Sequence, residues 1–333
     1  MPDGDLLDIY GELTGRTILM PAGLPRLDVN LTPGLRNDTN AAIGFIEAEF
    51  AKRGIEAVRD GGKFVKLVRT GWTNSPLAAQ MARIQLPRAG GEEVPRGGIH
   101  WSSADLDLIL AFYSDLARRT ILRASNIACA PVRLKNHSSL TREEFIYAIK
   151  VLLALNSIAM IDDGDKFTQV VPFAQASEIQ LRAPKPEKSA TLIDPKTIPA
   201  FKFSAGRTVA KPPPPPPTYR QQILDKLSGL YTRARIALFG TPPPPPKPEA
   251  DNLVAYYAKL TDTKPIPSKR FGKHPVFLEI KTPVTKAELL YAIEVTLGQS
   301  GLTIVSTNKN SIQILPRSEL PSHGTNVPAK LKT

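Results

Sequence analysis

Apolar residues near the start of the chain recur at i, i+3, i+4 and i+7: Leu6, Ile9, Tyr10 and Leu13. That spacing lines four side chains along one face and predicts an amphipathic helix. The stripe returns 103 residues later at Ile109, Phe112, Tyr113 and Leu116, and a further 144 on at Leu253, Tyr256, Tyr257 and Leu260. The residues after it return too: IYGELTGRTIL at 9–19 is respelled FYSDLARRTIL at 112–122. At the same offsets Val29 and Leu31 align with Val132 and Leu134, then with Val276 and Leu278. Each pair straddles a residue facing the other way, the period of a half-buried strand.

A second helix follows in each copy, and its start is marked. Thr141 with Glu144, and Thr285 with Glu288, spell capping boxes that satisfy free amides of the first turn. The first copy offers Asp38 as a cap but has Ala41 in place of the acid, so its start is weaker. Within these helices Tyr147-Ala148-Ile149 recurs as Tyr291-Ala292-Ile293. Gly54 and Gly301 stand where the helix should stop, in the left-handed position, and Ser157 holds that place in the middle copy. Two short β-rich runs then surround a turn at Asp60-Gly61, Asp163-Gly164 or Asn308, predicting a hairpin. The fold class this implies is α+β: three tandem small domains, each α-β-β-α-β-β. Residues 97–101, GGIHW, offer the middle copy a leading strand that the first copy lacks.

The predicted boundaries are 1–72 for an N-terminally incomplete first domain, 73–96 for a linker and 97–173 for the second domain. A proline-rich linker at 174–218, an amphipathic helix at 219–240 and a second proline-rich linker at 241–250 lead to the third domain, 251–317, and a disordered basic tail, 318–333. Prolines 212–217 and 242–246 predict extended polyproline II, a semi-rigid spacer of ~3 Å per residue, in preference to ligands for aromatic grooves. Between them Ile223, Leu227 and Leu230 fall on one side, and Arg220, Lys226, Arg233 and Arg235 give a basic face. This fits a helix docking on its own domains or on a neighbouring subunit. Lying on an anionic membrane is the other reading, and Gly229 weakens both.

Composition changes this picture in three places. At 333 residues, 42% hydrophobic and 22% charged, the chain can bury several cores. The one cysteine, Cys129, excludes an internal disulfide or a cysteine zinc site, and beside Ile127 and Ala128 it reads as a small packed residue. The net charge of +12 is uneven: residues 1–172 carry equal numbers of bases and acids, so the excess lies from Phe173 onward. Spread through proline-rich sequence, it reads as solvated linker and tail rather than as a nucleic-acid face. No apolar run approaches the ~20 residues of a membrane helix, and the first residues do not read as a signal peptide.

Candidate chemistry is sparse. His100, His137, His274 and His323 have no metal-ligand spacing and read as loop or surface residues. Asp162-Asp163 belongs to a hairpin turn, and Gly61-Gly62-Lys63 lacks the rest of a phosphate-binding loop. With no G-x-S-x-G and no H-E-x-x-H, no catalytic residue, metal or cofactor is expected, and the chain reads as non-enzymatic.

The ordered cues of the second copy are a helix ending in R-T-I-L, an alternating V-x-L-x strand, L-T-R-E-E opening a long helix, and I-x-M-I-x-D-G-D-K-F leading to V-V-P. As a set they resemble the repeated periplasmic N-terminal domains of bacterial secretins, the multimeric outer-membrane channels of type II and type III secretion and of type IV pili. The resemblance thins in the third copy, where Lys264-Pro265-Ile266 replaces R-T-I-L. It implies a KH-like fold, homo-oligomeric rings lining a periplasmic vestibule, other secretion-machinery proteins as partners, and only indirect membrane association. It also implies a periplasmic location at an outer-membrane complex. Val132, Arg133, Leu134 and Lys135, with Val276, Phe277, Leu278 and Glu279, are the candidate contact strands. A secretin continues into a channel domain, and none is read after Pro316. The chain is therefore expected to be a fragment of a longer secretin-like protein, a mis-started reading frame or a channel-less accessory protein. The alternative is a KH-like nucleic-acid-binding protein using the basic C-terminal half. Such binding needs a G-x-x-G loop joining two helices directly, whereas two strands intervene here. It also needs exposed aromatic platforms, whereas Tyr10, Tyr113 and Tyr257 sit on the stripe predicted to be buried.

Overall fold

The computed structural model describes residues 3–24, 38–87, 90–179, 181–184, 190–201, 249–308 and 310–319. Its first stripe forms α1 (Asp3–Thr14), followed by β1 (Thr17–Leu19), α2 (Thr39–Lys52), β2 (Ile55–Asp60) and β3 (Phe64–Arg69). The turn after Asp60, with Gly61 at φ 61°, folds β2 and β3 into an antiparallel pair. β1 comes from the other side of the chain and joins β3 in parallel, giving the order β1-β3-β2. Leu6, Tyr10, Ile46 and Phe50 fill the space between the two helices and this sheet.

The chain then passes through α3 (Pro76–Met81) and β4 (Glu93–Val94) into a second round. This comprises β5 (His100–Ala104), α4 (Leu106–Ala117), β6 (Thr120–Arg123), β7 (Val132–Lys135), β8 (Leu140–Thr141), α5 (Arg142–Leu155), β9 (Ile158–Asp163) and β10 (Phe167–Pro172). The last round is β11 (Leu192–Ile193), α6 (Ala250–Thr261), β12 (Lys264–Ile266), β13 (Val284–Thr285), α7 (Lys286–Gln299), β14 (Leu302–Asn308) and β15 (Ser311–Pro316). The chain is thus α+β, and the sheets β6-β10-β9 and β12-β15-β14 repeat the strand senses of the first.

Local chemistry explains the helix ends. Both capping boxes are formed, while Asp38 caps α2 alone by accepting from the amides of Asn40 and Ala41. The residue that ends the second helix is left-handed in every round, Gly54 at φ 69°, Ser157 at 62° and Gly301 at 76°. Glycine suits that conformation, and Ser157 adopts it at a cost, because there its Cβ crowds the backbone.

The predicted second strand behaves differently from expectation. In the second unit β7 does not enter the three-stranded sheet; it pairs antiparallel with β5, Trp101 facing Leu134. The leading strand expected near residue 100 is therefore present. In the third unit Val276, Phe277, Leu278 and Glu279 form no strand. Leu278 instead makes a single antiparallel bridge with Phe201, through amide–carbonyl bonds of 2.9 and 2.8 Å. Val29 and Leu31 lie outside the described residues.

Phe201 stands to Leu278 as Trp101 stands to Leu134. The parallel extends upstream: β11 pairs with β13, Leu192 to Thr285, as β4 pairs with β8, Glu93 to Thr141. The Phe201 ring lies 6.3 Å from Tyr256, much as Trp101 lies 5.4 Å from Phe112. Ile198 and Phe201 are buried in the third core. Residues 192–201, read from sequence as linker, are therefore the leading segment of the third unit. Residues 202–248 form an insertion between that segment and α6. Both proline runs and the predicted linker helix with Ile223, Leu227, Leu230, Arg233 and Arg235 fall in this insertion, outside the described residues.

Candidate functional site: a repeated joint between units

Leu19 and Phe64 belong to the first unit by sequence, yet both are buried in the core cluster of the second. Leu122 and Phe167, their counterparts one repeat later, are buried in the core cluster of the third. Phe64 packs against Tyr147 with ring centroids 5.4 Å apart, and Phe167 against Tyr291 at 5.8 Å. The first and second units thus each present an apolar plug, made of the unit's first strand and the return strand of its hairpin. The next unit receives it on the first turns of its second helix.

The polar contacts repeat as faithfully. Lys63 Nζ donates to Glu144 Oε2 at 2.8 Å, and Lys166 Nζ to Glu288 Oε2 at 2.8 Å. The hydroxyl of Tyr147 donates to Asp60 and that of Tyr291 to Asp163. The amide of His137 donates to Thr17 Oγ1 at 3.3 Å, and the amide of Lys281 to Thr120 Oγ1 at 3.1 Å. Glu144 and Glu288 each serve twice, because the oxygen that takes the lysine also accepts the cap amide, at 2.8 Å from Thr141 and 2.7 Å from Thr285. The capping box therefore aims a carboxylate into the joint. Burial, reinforced by the Asp60 and Asp163 carboxylates, pushes both tyrosine hydroxyls well above their ordinary range, so they remain donors. Hydrogen bonding to Glu144 raises the pKa of Lys63 and keeps it charged.

The two joints differ at one position. Lys281 Nζ meets Asp115 Oδ1 at 2.8 Å, and its pKa is raised: burial pulls it down, but Asp115 and Glu279 outweigh that pull. At the matching place His137 Nδ1 lies 3.3 Å from Glu12 and Nε2 lies 3.7 Å from Asp8. It lies in the loop between β7 and β8, as expected, but its side chain is 2% exposed, so the expectation of a surface histidine is corrected. Gly11 makes this possible, since a Cβ there would run into the imidazole. Burial, with Lys135 and Arg96 nearby, depresses the His137 pKa below its ordinary 6.5, against an upward pull from Asp8. The unfolded chain then takes up a proton below pH ~6.5 that the folded chain resists, so stability falls as pH drops through that value. The first joint is expected to weaken between pH 7 and 5, and His137→Gln to remove most of that loss. Thermal unfolding at stepped pH checks this, and identical slopes for the two proteins would refute it.

The candidate contact strands lie against the preceding unit of the same chain. Val132 and Leu134 are buried and Arg133 is exposed, while Lys135 Nζ reaches Asp8 Oδ2 of the first unit at 3.1 Å. Val276 and Leu278 are buried. The ring of Phe277 lies under the Arg123 guanidinium of the second unit, 4.5 Å from the centroid, and Glu279 pairs with Lys281 at 3.4 Å. Sequence reasoning missed Asp60, Lys63, Phe64 and their counterparts. The available signal was that these residues keep one offset while Glu144 and Tyr147 keep another, so both sides of a contact repeat together. Cys129 is half-buried, and burial pushes its thiol up, away from the reactive thiolate. Among the described residues no group of three His, Cys, Asp or Glu side chains could hold a metal, and no helix is long and apolar enough to cross a membrane. Compared with known proteins, the chain matches no family model, no curated protein and no solved structure.

Proposed function

We propose that the chain is a non-enzymatic interaction module built from three tandem KH-like units. In this reading it resembles the periplasmic repeat region of a secretin-like secretion or pilus machinery and assembles with further copies and with other machinery proteins into rings. The observation that carries the reading is the joint itself: three units dock through the same residues twice, as expected of a chain whose work is to hold domains in a fixed relation. The nucleic-acid alternative loses support from the aromatic stripe. Tyr10 and Tyr113 are 1% exposed and Tyr257 is 7%, leaving no ring of this set free to stack on a base. Sedimentation velocity over a wide concentration range, with and without labelled single-stranded RNA, tests both. Concentration-dependent assembly indifferent to RNA is expected. Co-sedimentation of RNA that moderate salt reverses would favour the alternative, and a strict monomer would count against ring formation by this chain.

A further inference from the structure

The plug and the socket are repeated twice inside the chain, which leaves one unused plug on the third unit and one unused socket on the first. A head-to-tail interface of this kind propagates without limit unless something stops it. The residues at the two open ends are not those of the joints. On the third unit, Ser311 replaces Phe64 and Phe167, Asn310 replaces Lys63 and Lys166, and Thr307 replaces Asp60 and Asp163. Ile266, in the place of Leu19 and Leu122, is 40% exposed where those two are fully buried. On the first unit, Ala41 and Gly44 stand where the sockets have glutamate and tyrosine, and both are exposed.

The strand that carries the plug shows the same change. β1 and β6 are buried throughout beneath the following unit, whereas all three residues of β12 are exposed. There Lys264-Pro265 supplies a charge and removes a backbone donor, two devices that discourage another strand from pairing with a sheet edge. The departure from R-T-I-L in the third copy thus has a physical counterpart: among the described residues, no following unit covers that edge.

We infer that neither the outer sheet face of the third unit nor the outer helix face of the first carries the joint, so that a second copy of the chain does not dock end to end through it. This rests on the joint geometry and not on the secretin-like reading. The test uses the full chain with Cys129→Ala and paired cysteines, treated with a short bismaleimide at high protein concentration. Asp60→Cys with Tyr147→Cys is expected to cross-link within one chain. Gly44→Cys with Thr307→Cys, the same pair across two chains, is expected to give no ladder of oligomers; no atom stands within 4 Å of a Cβ built at Gly44. A ladder from the second pair would overturn the inference. So would failure of the first pair, because the joint would then not exist in solution. Ring assembly by the unsubstituted chain is read separately by sedimentation, so either conclusion can fail alone.

Discussion

Phe167→Ala is expected to cost about 3–5 kcal/mol, and much of the loss should appear in a unit the residue does not belong to. Phe167 is a β10 residue of the second unit, 1% exposed, yet it belongs to the third core together with Leu289, Ala292 and Ile293 and packs against the Tyr291 ring. Truncation opens a cavity at the joint and removes the aromatic contact together. Residue-resolved hydrogen exchange should therefore show protection falling in α7 and β14. Phe64→Ala should do the same to α5, where the ring meets Tyr147. A useful control is Phe50→Ala, fully buried against Tyr10 within the first unit's own core, where the loss should stay in that unit. Loss of protection confined to residues 97–172 in the Phe167 variant would remove the energetic basis of the joint.

Glu288→Ala should cost about 2–3 kcal/mol in urea unfolding, and Glu288→Gln about 1–2 kcal/mol. The alanine variant loses the capping box, worth ~1 kcal/mol, and the lysine's partner as well. Breaking a fully buried ion pair costs about 3–5 kcal/mol, but Lys166 keeps 24% of its side chain in water and can turn outward, so the smaller range applies. Glutamine retains an oxygen for the Thr285 amide and loses only the charge. No loss in the glutamine variant, with the alanine variant still destabilised, would mean that the residue acts as a helix cap alone and the joint ion pair contributes nothing.

The elements that sequence made legible are those whose cause is local. The helices of the three stripes, the Thr-x-x-Glu boxes, the left-handed helix ends and the Asp-Gly turns each rest on neighbours a few positions apart, and each is present; within the second stripe Ile109 and Tyr113 are buried, but Phe112 is exposed. The role of Glu144 was half legible, because a capping box reads the same whether or not its carboxylate also faces a neighbour. His137 was read correctly as a loop residue but not as a buried one, because nothing local shows that Gly11, Asp8 and Glu12 of the preceding unit close around it. The leading segment of the third unit was taken for linker because the insertion at 202–248 breaks the offset that reveals every other element.

By itself, then, the sequence determined that the chain is α+β with a recurring phrase, where its main helices begin and stop, and much of what those helices bury, Ile109 and Tyr113 but not Phe112 among them. Short-range spacing carries that information, since helix and strand periods and cap geometry are set by the backbone alone. Only the tertiary structure decided that the units dock, which residues do so, and that residues 192–201 belong to the third unit. Those outcomes depend on contacts between residues far apart in the chain, from Lys63 with Glu144, 81 positions apart, to Lys281 with Asp115, 166 apart. No period or cap signals such a pairing, and it becomes visible only when the folded surfaces meet.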